Sequence, residues 1–159
     1  MINKSLMAVV LVAAAVAYAQ AQTPGMIMAT PNELKWNDGP PSLPPGAKMA
    51  VLSGDPKVEG PFVMRLKLPA NYKIKNHWHP AHEHVTVIEG AFWMGSGEKW
   101  DEKAMHELKV GAFAMMPPKH PHYAMTKVET IVQVHGWGPW GINYVNPADD
   151  PRPPPAPVK

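Results

Sequence analysis

From residue 48 to residue 145 the chain alternates short apolar-rich runs with glycine, proline and polar breaks. Alternating or β-rich runs fall at 48–52, 62–68, 72–74, 84–88, 91–94, 105–110, 112–116, 122–126, 130–134 and 141–145. Turn signals separate them, among them Ser53-Gly54-Asp55-Pro56, Pro69-Ala70-Asn71, Glu89-Gly90, Gly95-Ser96-Gly97, Gly111, Pro117-Pro118 and Gly136-Trp137-Gly138-Pro139. The runs are too short and too rich in β-formers for amphipathic helices, so they read as strands. Only 98–105 has the pattern for a single helical turn. Many short strands at regular spacing predict an all-β fold, a sandwich or small antiparallel barrel.

The two ends follow different rules. Residues 1–4 carry Lys4, 6–17 are an unbroken apolar run, and two small-x-small sites follow at Ala17-Tyr18-Ala19 and Ala19-Gln20-Ala21. That is the pattern of a cleaved secretory signal over residues 1–21. The run is too short to span a bilayer comfortably, so a stable membrane anchor is not expected. A periplasmic or secreted location follows as an expectation. Of 20 prolines, twelve lie in two clusters, 24–45 and 147–157. They predict an irregular N-terminal arm over 22–46, with Leu34-Lys35-Trp36 as a short strand or anchor. They also predict a Pro-rich, extended tail over 147–159. The domain proper is then 47–146.

Composition narrows the chemistry. The 159 residues contain no Cys, which excludes disulfides, thiolate metal sites and a Cys nucleophile. The formal net charge is +2 with no concentration of Lys or Arg, so nucleic acid is not an expected partner. With 45% apolar and 18% charged residues, a packed core is expected. The anomaly is histidine: eight in all, four of them within residues 77–84.

On a strand, His77 and His79 share a face. Glu83 shares parity with Val85 and Val87, which sets a carboxylate on an apolar face. That is costly unless the carboxylate is paired or bound to a metal. A metal beside two imidazoles removes the cost. His82 and His84 fall in the turn or on the other face and read as rim or surface. A second cluster, Met116-Pro117-Pro118-Lys119-His120-Pro121-His122-Tyr123, opens a new strand at His122, which could deliver a third imidazole. Such an N/O set suits a divalent transition metal, Mn, Fe, Co, Ni, Cu or Zn, without choosing among them. His135, at the end of a strand, could line the mouth as an acid/base group; its plainer role is a hydrogen-bonded structural His. Met94, Met115 and Met116 read as barrel core. Trp93, Trp137 and Trp140 could bound a pocket, and Trp78 faces away from His77 and His79.

These residues resemble the cupin superfamily. His77-x-His79-x-x-x-Glu83 followed by Gly90 matches its first motif, and Gly111, Pro117 and His122 resemble its second. The resemblance spans about residues 47–145 and implies a small antiparallel jelly-roll barrel. It also implies a metal held by His77, His79, Glu83 and His122. Three positions depart from the pattern: Asn71 and Lys119 stand where Gly is usual, and Thr126 where Asn is usual. Lys119 keeps His120 open as a rival to His122. The whole chain looks like the small exported single-domain cupins of bacteria. Three functions fit: a dioxygenase- or oxidase-type oxidoreductase acting on a small organic molecule; a Lewis-acid lyase, isomerase or hydrolase with His135 or Glu89 moving a proton; or a non-enzymatic small-ligand or metal-binding module. A homodimer is compatible with the resemblance and with the Trp-rich exterior.

Overall fold

The computed structural model describes residues 25–154. The expected signal, residues 22–24 of the arm and residues 155–159 of the tail lie outside them. Among the described residues there are eleven strands: β1 (Asn37–Asp38), β2 (Lys48–Ser53), β3 (Gly60–Leu68), β4 (Lys73–Trp78), β5 (Glu83–Glu89), β6 (Ala91–Ser96), β7 (His106–Lys109), β8 (Phe113–Met116), β9 (His122–Thr126), β10 (Thr130–Gly138) and β11 (Asn143–Tyr144). They form two antiparallel sheets, β1-β2-β3-β10-β5-β8 and β11-β4-β9-β6-β7, the arrangement of a jelly roll. No helix among the described residues is long and apolar enough to cross a membrane.

The alternation seen in the sequence builds the core between the sheets. One sheet contributes Phe62, Met64, Leu66 and Leu68 of β3, Val85 and Val87 of β5, and Val132 and Val134 of β10. The other contributes Ile74 of β4, Phe92 and Met94 of β6, and Ala124 of β9. Each of the Val, Leu, Ile, Phe and Met side chains among them stabilises the fold by about 1.5–3 kcal/mol when fully buried. Met115 departs from its expected place in the core: it is 47% exposed, because β8 turns Met116 inward instead.

The arm and tail are more than irregular ends. The 34–36 stretch is not a strand; the next two residues, Asn37–Asp38, pair with β2 instead. Leu43 is buried in the core. The Tyr144 hydroxyl donates to Ser42 O (2.8 Å), and the Tyr72 hydroxyl donates to Pro44 O. In the tail Arg152 donates to Ile142 O at 3.0 Å. The helical turn expected in 98–105 is a single 3₁₀ turn, Glu102–Ala104.

Both replaced glycine positions adopt the left-handed backbone that glycine favours. Asn71 and Lys119 have φ of 60°. Asn tolerates this region well and Lys less so. The Lys119 turn is tied down by its own amide, which donates to His79 O at 2.8 Å. Thr126 has a structural role, donating to Pro69 O (2.6 Å) and accepting from the Tyr72 amide (3.1 Å).

Candidate metal centre

A bulge in β4 aims the first histidine. Ile74 pairs with Ala124 and His77 with His122, so that two residues of β4, Lys75 and Asn76, stand against the single Tyr123 of β9. The extra residue reverses the parity, so Ile74 and His77 both face inward although they are an odd number apart. Reading 72–74 as the whole strand missed this extension. Asn76, in the bulge, donates to Gly97 O at 2.8 Å, while its carbonyl accepts from the Val145 amide at 2.9 Å. The chain then turns through Pro80 and Ala81, and β5 begins with Glu83 pointing inward beside Val85.

The structure brings together four of the residues singled out in the sequence. His77, His79 and His122 form a group whose ligand atoms all lie within 4.8 Å of one another. Glu83 Oε2 lies 3.1 Å from His79 Nε2 and 3.4 Å from His122 Nε2. All four side chains are buried. His120 is set apart: it is exposed, and its Nε2 pairs with Ser96 Oγ at 2.7 Å.

The outer nitrogens fix the tautomers. His77 Nδ1 lies 2.6 Å from Lys75 O, His79 Nδ1 2.8 Å from Gly141 O, and His122 Nδ1 2.9 Å from His120 O. A carbonyl can only accept, so each Nδ1 carries the proton and donates it. In a neutral imidazole the lone pair then sits on Nε2. His79 Nε2 and His122 Nε2 are buried and have no hydrogen-bond partner among the described residues, although each lies at ion-pair distance from Glu83. A lone pair facing a carboxylate is repulsive unless a cation lies between them. A proton can serve one such contact; a divalent ion serves them all.

The electrostatics of the metal-free chain carry the same tension. Burial, then His122 and His79, push His77 down to about 3. Burial would also lower His79, but Glu83 and the Gly141 carbonyl outweigh it and raise that group. Burial would raise Glu83, yet His79 and His122 hold it far below the usual carboxylate range. The charge wanted in this pocket is therefore positive and sits next to Glu83.

Trp140 closes the centre. Its ring stacks on His79, with centroids 4.6 Å apart at 17°, and its buried Nε1 has no hydrogen-bond partner among the described residues. Tyr144 lies 6.0 Å from His77, centroid to centroid. The Trp-rich turn hinted at Trp140 in the sequence, but nothing there signalled the Lys75, His120 and Gly141 carbonyls. Inside the barrel the ligands border a cavity of about 30 Å³, walled by Leu66, Leu68, Phe92 and Val132.

The two expected acid/base groups are not at the centre. His135 lies on β10 between the buried Val134 and the exposed Trp137, on the outer face of its sheet, stacked on His84 at 4.9 Å. Nor is it hydrogen-bonded as the plainer expectation had it, since its buried Nδ1 has no partner among the described residues. The inward positions of β10 belong to Val132 and Val134, which leaves His135 no path to the interior. Glu89 is exposed at the far end of β5, six residues and about 20 Å along the strand from Glu83. Of the Trp residues expected to bound a pocket, Trp140 lines the internal cavity, Trp137 is exposed and lines an open surface pocket with His82, His84 and His135, and Trp93 lies under Lys127.

Residues 24–140 match the sequence family described as the ChrR cupin-like domain. Among curated proteins none matches this chain. Solved structures share the fold. The chain is similar to the polyketide cyclase RemF from Streptomyces resistomycificus (TM-score 0.63, 15% identity, 80% of this chain and 90% of that one). It is similar to a proposed acetylacetone dioxygenase from Methylibium petroleiphilum PM1 (TM-score 0.60, 14% identity, 82% and 88%). An RmlC-like cupin from Shewanella frigidimarina NCIMB 400 is a third (TM-score 0.55, 14% identity, 71% and 91%).

Proposed function

The chain belongs to the ChrR cupin-like domain family, and from that premise we propose that it is an exported metalloprotein of the oxidoreductase type, acting on a small organic molecule with an oxygen-donor end. His77, His79 and His122 would hold one divalent transition ion through Nε2, and Glu83 through its carboxylate. When bound, such an ion supplies Lewis-acid activation and, if it is Mn, Fe or Cu, one-electron chemistry. The observation that carries the reading is the set of three Nδ1–H groups committed to carbonyls beside a buried carboxylate. This chain's residues orient the imidazoles through those carbonyls, neutralise one positive charge with Glu83, and exclude water with Trp140. The fold likeness to a proposed dioxygenase is compatible with this chemistry. Lyase or isomerase chemistry loses support because neither His135 nor Glu89 stands at the centre to move a proton.

A second reading is favoured by one observation. The internal cavity of about 30 Å³ has room for an ion and a water or two, not for an organic substrate. That favours a module that holds metal without turnover. The test is elemental analysis of protein from the cell envelope, followed by oxygen uptake with a panel of small β-dicarbonyls and carboxylic acids. Stoichiometric metal with substrate-dependent oxygen consumption supports the oxidoreductase. Stoichiometric metal without uptake supports the holding module, and absence of metal overturns both. Intact mass of the same sample tests export, with cleavage after Ala21 as the expected result.

A further inference from the structure

One of the candidate metal ligands, His122, borders a second space. β7 and β8 follow one another in the chain but are the edge strands of different sheets. At one end of this gap the chain itself joins the sheets, through the 110–112 turn, which continues the β5–β8 ladder: the Gly111 amide donates to Val87 O (2.9 Å) and the Val87 amide to Ala112 O (3.0 Å). Toward the other end the gap opens into a cleft of about 310 Å³. Its walls are Met94 of β6, Leu108 of β7, and Ala114 and Met116 of β8, and its floor includes His122. His106 and His120 also border it. Met94 and His122 line both this cleft and the internal cavity. They form the partition between the outside and the metal centre.

We propose that this cleft is the binding slot and entrance for the site's small-molecule ligand, an amphiphile with a linear or flat apolar body and one anionic oxygen-donor end, and that Met94 and His122 are the wall against which that end is presented. The volume is at the small end of ligand pockets. The apolar part of the lining is aliphatic and thioether, beside the imidazoles of His106, His120 and His122, and unbranched thioethers adapt to varied shapes at little cost. The donor end follows from charge. Three neutral imidazoles and one carboxylate leave a divalent ion with a net +1, which a single carboxylate or enolate neutralises. The slot also resolves the size conflict of the internal cavity, because the body of the ligand stays outside the barrel and only its head is presented to the centre, at the Met94–His122 wall. The head group rests on the metal reading above; the slot does not.

The test uses the full chain with ¹³C-methyl methionine and the probes acetate, butyrate and hexanoate, with and without Zn(II). The expected result is that hexanoate shifts the Met94 and Met116 methyl signals and that affinity rises about fourfold per added methylene. Ala114→Trp, which fills the slot, should abolish both effects. Leu108→Asn, which adds an amide to its wall, should weaken hexanoate binding and leave acetate unchanged, keeping the test open if the Trp variant fails to fold. Shifts at Met49 and Met64 instead, no shifts at all, or an undiminished length dependence in a folded variant would overturn the proposal. A chain that binds no Zn(II) yet shows the Met94 and Met116 shifts overturns the metal reading and leaves the slot standing. Zn(II) binding without those shifts does the reverse.

Discussion

Two trios of histidine, each with two members from residues 77–84 and one from later in the chain, end on opposite faces of the same fold. His77, His79 and His122 converge inward on Glu83. His82, His84 and His135 stand on the outside of the larger sheet, with His84 stacked on His135 at 4.9 Å and His82 6.4 Å from His84. Around them are Met115, Gly136 and Trp137, with no carboxylate. The inner rings each give Nδ1–H to a carbonyl and turn a lone pair toward a buried anion. The outer rings stack on one another, His82 exposed and His84 and His135 half-buried. What separates a metal centre from a histidine-rich surface is therefore strand parity, the backbone acceptor behind each ring, and the carboxylate in front, not the number of imidazoles.

Breaking the inner trio should give the largest effect. His79→Ala removes one donor and leaves Glu83 buried with less compensation, which costs about 3–5 kcal/mol when a buried pair loses a partner. Stoichiometric metal should be lost with it. Denaturation curves and metal-to-protein ratios check both, and full retention of metal would mean that the site lies elsewhere. Trp140→Ala should follow, costing about 2 kcal/mol for a half-buried ring. It should loosen His79 enough to lower metal affinity about tenfold.

The pH dependence of the metal-free chain sharpens the contrast. His77 is held well below its ordinary 6.5, so on falling below that pH the unfolded chain gains a proton that the folded chain refuses. Stability should then drop by up to about 1.4 kcal/mol per pH unit. His79 is raised above 6.5, so its contribution is complete below that value and is lost as pH rises through the folded one. Thermal midpoints without metal should peak near pH 6.5. Loading with Zn(II), or His79→Ala, should remove the alkaline decline and leave the acid one. The smallest effect is expected outside: His135→Ala should change stability by no more than about 0.5 kcal/mol and leave metal content unchanged.

Much of this contrast is legible in the sequence. Parity put Glu83 inside with Val85 and Val87, and His82 and His84 elsewhere, because a strand's period of two leaves little freedom. The resemblance supplied His122 and the jelly roll. Where reading failed, the cause was local geometry that side-chain patterns do not encode. His77 was read into the site, but the continuation of β4 past Ile74 and the bulge that buries Asn76 beside His77 were not. The continuation of β10 past Val134 carried His135 along the outer face. Leu43 and the arm entered the core from a stretch whose prolines suggested only irregular chain. The carbonyls of Lys75, His120 and Gly141 carry no signal in a sequence, since every residue has one.

In the loaded centre the three inner histidines are neutral, protonated at Nδ1, and offer Nε2 to a divalent ion. Long-range ¹H–¹⁵N correlation of the imidazoles, recorded before and after addition of Zn(II), tests it most directly. The account predicts Nδ1–H patterns for His77, His79 and His122 in the loaded protein, with large Zn(II)-induced changes at their Nε2 atoms and none at His82, His84 or His135. Nε2–H patterns in the inner trio, or Zn(II)-induced changes at the outer one, would contradict it.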